Sequence, residues 1–416
     1  MLLIKKYYQL IGLLFAFVFI LFEANTPNDF DIFYSASTDL FNNINIYEKL
    51  YAKWYHYLYS LLFTLLVYPL TFLPLYLSKL IWLGINLFFL YRIFKILRGF
   101  LKEFRFEEKE TNWLLFLVFL FSLRFIRDNF HLAQMTIFIL FAIIQGIKFI
   151  WDKKEIKGAA LLALAINFKL LPLVILPYLF WKGYFKALSL CVFFIALYFF
   201  IPVLFLGIDK FLILVESWWG LINPTQSKHI IDTEERSFHS LTTLIPTLFM
   251  ENVPDQFALP LKRNILNLSL DTVNLLVMIS RIIIISLTLL FVGIKPFYQP
   301  ESSIKKWRDI AYLCLSIPLI FPHQQHYAFL LTLPAVSFLF IFLFQDKKTN
   351  KHIKIIYVTT LIIIYLCFNL YLILGEFNAY YEHYKIITYG AILLVIMLIL
   401  TRKINSHLFR STETKN

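Results

Sequence analysis

Apolar runs about as long as a bilayer crossing follow one another along the chain, separated by short stretches where charged and polar residues collect. Each crossing needs about 20 apolar residues, so with room for loops the chain has capacity for roughly ten to thirteen helices. The pattern predicts an all-α, polytopic integral membrane protein over residues 1–402, with re-entrant or juxtamembrane helices on the outer face. A short polar cytoplasmic tail follows, 403–416. Lys5 and Lys6 precede the first apolar stretch, which runs to Phe22. The following Phe22-Glu23-Ala24 lacks the small-x-small cleavage pattern of a signal peptide, so an uncleaved first helix is expected.

Two stretches depart from simple crossings. Residues 56–98 are long enough for two helices yet must cross an odd number of times. Pro69 and Pro74 imply that their first part lies along or dips into the surface. Residues 158–181 begin and end on the same side and read as two half-helices meeting near Asn167-Phe168-Lys169.

Composition removes the alternatives. With 60% hydrophobic residues, 16% charged and mean hydropathy +0.71, the chain is far greasier than soluble domains, which are about 45–50% apolar. Cys191, Cys314 and Cys367 sit inside apolar runs with no metal spacing. The net charge of +13 reads as topology rather than nucleic-acid binding. Two thirds of the Lys and Arg fall in alternate clusters: Lys5–Lys6, 92–109, 148–157, 182–186, 295–308, 347–354 and 402–415. The positive-inside rule places these clusters and both termini in the cytoplasm. Loops 23–56, 124–131, 168–171, 208–263, 322–326 and 375–385 are then outside.

That assignment sorts the polar residues. Asp29, Asp31, Arg124, Arg127, Asp128, His131, Gln134, Lys169, Arg236, His239, His323 and His326 all fall on or near the outer side. Ionisable groups at membrane depth are costly and mark sites or pair with one another. Their one-sidedness predicts an outward-facing polar cavity. No internal repeat and no glycine-rich phosphate loop is present, and 11 glycines leave little room for one. Chemistry on that face is expected without a cytosolic nucleotide.

Five motifs then fall in order. Asn28-Asp29-Phe30-Asp31-Ile32-Phe33-Tyr34 leads to Asn43–Tyr47. Tyr55-His56-Tyr57 leads to Tyr68-Pro69, Leu73-Pro74 and Trp82. Next come Asn129-Phe130-His131-Leu132-Ala133-Gln134 and Lys169-Leu170-Leu171-Pro172 after an Ala-rich run. Last are Ser316-Ile317-Pro318, His326-Tyr327 and Leu333-Pro334. This series, over about residues 25–335, resembles glycosyltransferase family 87, of the GT-C superfamily of membrane glycosyltransferases. Ala133 and Asn43 stand where the family carries glycine. Ile317 is inserted within the family's "S-P", so His323 rivals His326. The family's "N-Q-S-L" is met by His239-Ser240-Leu241 or by Arg236-Ser237-Phe238.

The resemblance implies inverting transfer of a hexose, mannose by analogy, from a polyprenyl-phosphate donor to a lipid-linked or envelope glycan. It implies no cofactor and no metal, and a bacterial inner-membrane location. A sugar hydroxyl needs its proton removed as it attacks, and a placed carboxylate can do this. The resemblance puts that base at Asp29, with Asp31 the alternative. In an extended segment the two would face opposite ways, and either could instead cap a surface helix.

The departing phosphate needs cations. Lys169, Arg124, Arg127, Arg236 and His326 are the candidates. The rival readings are snorkelling for Lys169, an ion-pair cluster or lipid anchor for Arg124, Arg127 and Asp128, and a solvated loop for Arg236. Tyr34, Asn129, His131, Gln134, His239 and His323 are the candidate substrate contacts. Asp232, Glu234 and Glu235 read as a solvated loop rather than a cation site. Membrane lipids, the donor and a glycan acceptor are the expected partners, and nucleic acid is not. The competing function is a lipid or solute transporter, which would place polar groups on both faces.

Overall fold

The computed structural model describes residues 2–51, 55–104, 106–223, 238–251, 253, 258–299, 302–345 and 351–408. Among the described residues the chain is all-α apart from one two-stranded antiparallel hairpin. Helices α1 (Leu2–Glu23) and α2 (Asp29–Phe41) precede strands β1 (Leu50–Tyr51) and β2 (Tyr55–His56). Then come α3 (Leu61–Val67), α4 (Leu75–Glu103), α5 (Glu108–Phe121), α6 (Leu123–His131), α7 (Thr136–Trp151) and α8 (Glu155–Phe168). Next are α9 (Ile175–Trp181), α10 (Phe185–Phe200), α11 (Val203–Leu206), α12 (Ile208–Ile222), α13 (Leu241–Phe249) and α14 (Leu270–Val292). The last are α15 (Ser303–Ile320), α16 (Leu333–Gln345), α17 (Lys351–Asn369), α18 (Asn378–His383) and α19 (Ile386–Leu408).

Among the described residues, five helical segments are long and apolar enough to cross a membrane: Leu75–Glu103, Phe185–Leu206, Leu270–Val292, His326–Gln345 and Lys351–Leu372. Gly375–His383 and Ile386–Thr401 form a sixth if taken together across their 63° bend. The protein is therefore a polytopic membrane protein, and the described residues hold fewer full-length spans than the ten to thirteen that apolar capacity alone suggests. Several apolar runs are cut into shorter helices, among them 61–72, 136–151 and 171–181. Proline is one cause, since it lacks the N–H that the next turn needs. Pro69 lies in a 3₁₀ turn after α3, Pro74 precedes α4, and Pro172 lies in the 3₁₀ turn between α8 and α9. Residues 56–98 thus hold one short helix and one long one, and 158–181 hold two half-helices broken at Lys169.

The chain divides into two compact units. The first comprises 1–93, 127–172 and 186–223. Its core is aromatic: Phe33 packs edge-on to Phe63 (5.2 Å), Phe30 lies on Trp82 (5.6 Å), and Phe63 meets Phe168 (5.3 Å). Each such pair contributes about 0.5–1.5 kcal/mol beyond its buried area. Helices α7 and α8 touch backbone to backbone. A Cβ on Gly158 would lie 2.6 Å from the Gly146 carbonyl oxygen, and one on Gly146 would lie 2.7 Å from Leu162. Small residues are what permit such close helix contact in membranes.

The second unit comprises 94–126, 173–185 and 224–416. Its centre is the segment 326–345, whose apolar window is 89% buried, against 11–33% for the other spans. Helix α16 packs on α5, α15 and α19. The carbonyl-bearing end of α14 is closed by three side-chain donors, two of them cations. Lys182 donates to Val292, Arg308 Nη2 to Phe291 (2.9 Å) and Trp181 Nε1 to Gly293 (2.8 Å). Such donors satisfy the orphan carbonyls and the negative end of the helix dipole. Lys182 also pairs with buried Asp309 at 3.1 Å.

Candidate active site

In the first unit the site is built on the turn between α1 and α2. The stretch holding both aspartates is helical, not extended, and the N-cap is Asn28 rather than either aspartate. Asn28 Oδ1 accepts from the Phe30 N–H (3.2 Å), and Asp31 Oδ2 accepts from the Asn28 N–H (3.0 Å). This is a capping box, in which two orphan donors are satisfied reciprocally. The other oxygen of Asp31 pairs with Lys79 at 2.8 Å. That lysine is buried and also donates to the Thr26 carbonyl (2.8 Å).

Asp29 takes a different partner. Gln134 Nε2 donates to its Oδ2, while Gln134 Oε1 accepts from the Tyr59 hydroxyl at 3.0 Å. Gln134 is itself buried, with its N–H on the Asn129 carbonyl (2.8 Å). Lys169, beyond the end of α8, lies 5.7 Å over the Tyr59 ring and interacts electrostatically with Asp29. Burial lowers the Lys169 pKa to about 8, against the opposing pull of Asp29. The amine is still mostly protonated at neutral pH. Asp29, Gln134, Tyr59 and Lys169 therefore form one polar group in this unit.

The two positions where the family pattern has glycine both adopt left-handed backbone, Asn43 at φ +57° and Ala133 at φ +50°. That region favours glycine because a Cβ crowds the backbone there. The Ala133 carbonyl accepts from Trp82 Nε1 at 2.7 Å, which ties two of the motifs together.

Other candidates of this unit are engaged as follows. The Tyr34 hydroxyl donates to the Thr71 and Leu73 carbonyls, each at 3.0 Å. His131 Nδ1 meets Glu23 Oε2 at 2.9 Å, the carboxylate buried and the imidazole 42% exposed. Arg127 pairs with Asp128 at 3.0 Å, and Asn129 is fully buried. An apolar cavity of about 300 Å³ lies beside Asn167 and Leu170, lined by Phe199, Trp218 and Trp219 among others.

The second unit holds its own buried cluster. Arg124 Nη2 donates to Glu382 Oε1 (2.7 Å), and its guanidinium lies 3.9 Å from the Tyr371 ring centre and 4.9 Å from that of Tyr381. Glu382 Oε2 meets His239 Nε2 at 2.7 Å. Burial lowers the His239 pKa to about 4, outweighing the opposing effect of Glu382. The neutral ring then donates from Nε2 and keeps Nδ1 as an acceptor. His326 acts electrostatically on Glu382. His323, at φ +54°, sets its ring edge-on to Phe238. Arg236, Asp232, Glu234 and Glu235 lie outside the described residues.

Sequence reasoning missed Tyr59, Lys79, Glu23 and Glu382. Lys79 carried a signal, as an ionisable residue in the first half of an otherwise apolar helix. Glu382 lies in an aromatic and acidic outer loop, 376–384, whose role the residue order leaves undecided, and Tyr59 and Glu23 carried no signal in their local pattern. A sequence model of glycosyltransferase family 87 matches residues 57–292. No curated protein matches the chain.

Proposed function

The chain belongs to glycosyltransferase family 87 and is a membrane glycosyltransferase; we propose that it draws its sugar from a polyprenyl-phosphate donor. The sugar is a hexose, mannose in the first instance, and the acceptor a lipid-linked or cell-envelope glycan on the outer face. The membrane is the bacterial inner membrane, with both termini in the cytoplasm. Activated nucleotide sugars stay on the cytoplasmic side, so a lipid-carried donor suits an outward-facing site.

In this reading the acceptor hydroxyl attacks the anomeric carbon as the bond to phosphate oxygen breaks, and configuration inverts. Asp29 takes the hydroxyl proton, and Lys169 meets the charge that develops on the departing polyprenyl phosphate. The observation that carries the reading is the Asp29–Gln134–Tyr59 hydrogen-bond chain with Lys169 over the Tyr59 ring. It brings a held carboxylate and a cation into one group. Gln134 fixes the direction of the carboxylate. Asn129 and His131, from the same segment, are the nearest candidates for sugar contacts. Arg124, His239, His323 and His326 belong to the second unit and Arg236 lies outside the described residues, so the reading does not rest on them.

The test uses purified protein in nanodiscs, radiolabelled polyprenyl-phosphate mannose and an envelope lipid extract. Wild type is expected to move label onto the extract, and Asp29→Asn to lose at least about 100-fold, the lower end for a general base. Equal transfer by both would remove Asp29 as base. No transfer by wild type with either the mannose or the glucose donor would sink the proposal.

A further inference from the structure

The two aspartates of α2 stand in the same helical turn, yet the structure gives them different work. Asp31 has one oxygen on the Asn28 N–H (3.0 Å) and the other on Lys79 (2.8 Å). Asp29 accepts from Gln134 and interacts with Lys169. Lys79 sits in an apolar helix, is only 4% exposed, and uses its remaining reach on the Thr26 carbonyl at 2.8 Å. It therefore touches both sides of the turn that delivers Asp29: residue 26 before the cap and residue 31 after it. A buried ammonium is costly unless paired and hydrogen-bonded, and this one is both.

We infer that Lys79 is a positioning residue: it commits Asp31 to holding the start of α2, so that Asp29 alone serves the reaction. The inference rests on the reading of Asp29 as base. Asp29 and Asp31 lie two apart at the start of one helix, and a like charge nearby disfavours ionisation of a carboxyl. Lys79 neutralises Asp31, so Asp29 can ionise without that penalty. The charged and titratable groups around this turn are Asp31 on α2, Lys79 on α4, Glu23 on α1, His131 on α6, Tyr59 after β2 and Lys169 after α8. Of these, only Lys79 pairs directly with Asp31 among the described residues.

The test reads the carboxyls themselves, separately from turnover. Dicyclohexylcarbodiimide modifies protonated carboxyls in apolar surroundings, and peptide mass spectrometry of nanodisc protein gives the labelling of each aspartate against pH. In wild type, Asp31, with both oxygens engaged, is expected to label less than Asp29. In Lys79→Met, Asp31 becomes reactive and the Asp29 midpoint rises by about one pH unit, the low end for a like charge. Lys79→Arg keeps the wild-type pattern. Lys79→Met/Asp31→Asn, which removes both charges, folds and returns the Asp29 midpoint to its wild-type value; it also serves if the single variant fails to fold.

An unreactive Asp31 in folded Lys79→Met, or an unchanged Asp29 midpoint there, would overturn the inference. So would equal labelling of both aspartates in wild type. Transfer assays on the same samples keep the two ideas apart. The labelling pattern without transfer by wild type would sink the functional reading alone. Transfer without the pattern would sink the role of Lys79.

Discussion

Arg124→Met is the sharpest test of the buried cluster in the second unit. The substitution keeps much of the side chain's bulk and removes a guanidinium that is fully buried, 2.7 Å from Glu382 and stacked over Tyr371 and Tyr381. Glu382 then keeps the hydrogen bond from His239, whose ring is neutral at pH 7.5. Removing one partner of a buried pair costs about 3–5 kcal/mol. Two desolvated cation–π contacts are lost as well, each about 1–2 kcal/mol, and sulfur–aromatic contacts return roughly half of that. The expected loss at pH 7.5 is about 4–7 kcal/mol.

A second signature lies in its pH dependence. Folded His239 titrates at about 4, below the ordinary 6.5. As pH falls through that window the unfolded chain binds the proton first, so the wild-type fold loses stability. Arg124 is one of the charges that hold His239 down. Without Arg124 one opposing charge is gone, so folded His239 takes up a proton more readily in the variant than in wild type. The deficit of the variant therefore narrows as pH falls from 7.5 to 5.5. Unfolding in mixed micelles, followed by the fluorescence of the eight tryptophans, measures both quantities. Arg124→Met/Glu382→Gln should recover at least half of the loss. A deficit under about 1 kcal/mol, or one that widens as pH falls, would refute the reasoning, since breaking a buried ion pair costs several times that.

Three further outcomes follow from the first unit. Ala133→Gly relieves left-handed backbone at a buried position and should raise stability by about 0.5 kcal/mol in the same micelle titration, relief outweighing the extra chain entropy. Gly158→Ala gains about 1 kcal/mol of helix propensity. Its Cβ would nonetheless lie 2.6 Å from the Gly146 carbonyl oxygen, and overpacking costs about 1–3 kcal/mol; thermal unfolding should show a net loss. Lys169 loses its charge as pH rises through about 8. Transfer should therefore fall on that limb, and Lys169→Arg, which stays cationic, should abolish the fall while keeping measurable activity.

How much of this was legible in the residue order differs from feature to feature. Hydropathy sums along the chain, so membrane character and helical class follow from composition and spacing alone. The break at Lys169 was legible because a lysine and Pro172 interrupt an apolar run within a few residues. The order of five short motifs carried the family. The glycine positions of those motifs pointed to backbone conformation, and Asn43 and Ala133 meet it with positive φ although neither is glycine.

What the residue order could not decide is which polar groups meet. Asp29 and Asp31 are equivalent as sequence; capping geometry and a lysine 48 positions later in the chain separate them. Tyr59 becomes part of the site only because Gln134, 75 residues away, reaches it. Arg124 and Glu382 are separated by 258 residues. The number of full-length spans was also beyond apolar capacity, because proline and polar breaks determine where a helix stops. Burial tendency is a property of each residue and its near neighbours. A hydrogen bond or ion pair depends on two side chains arriving within about 3 Å, and only the packed tertiary structure brings them there.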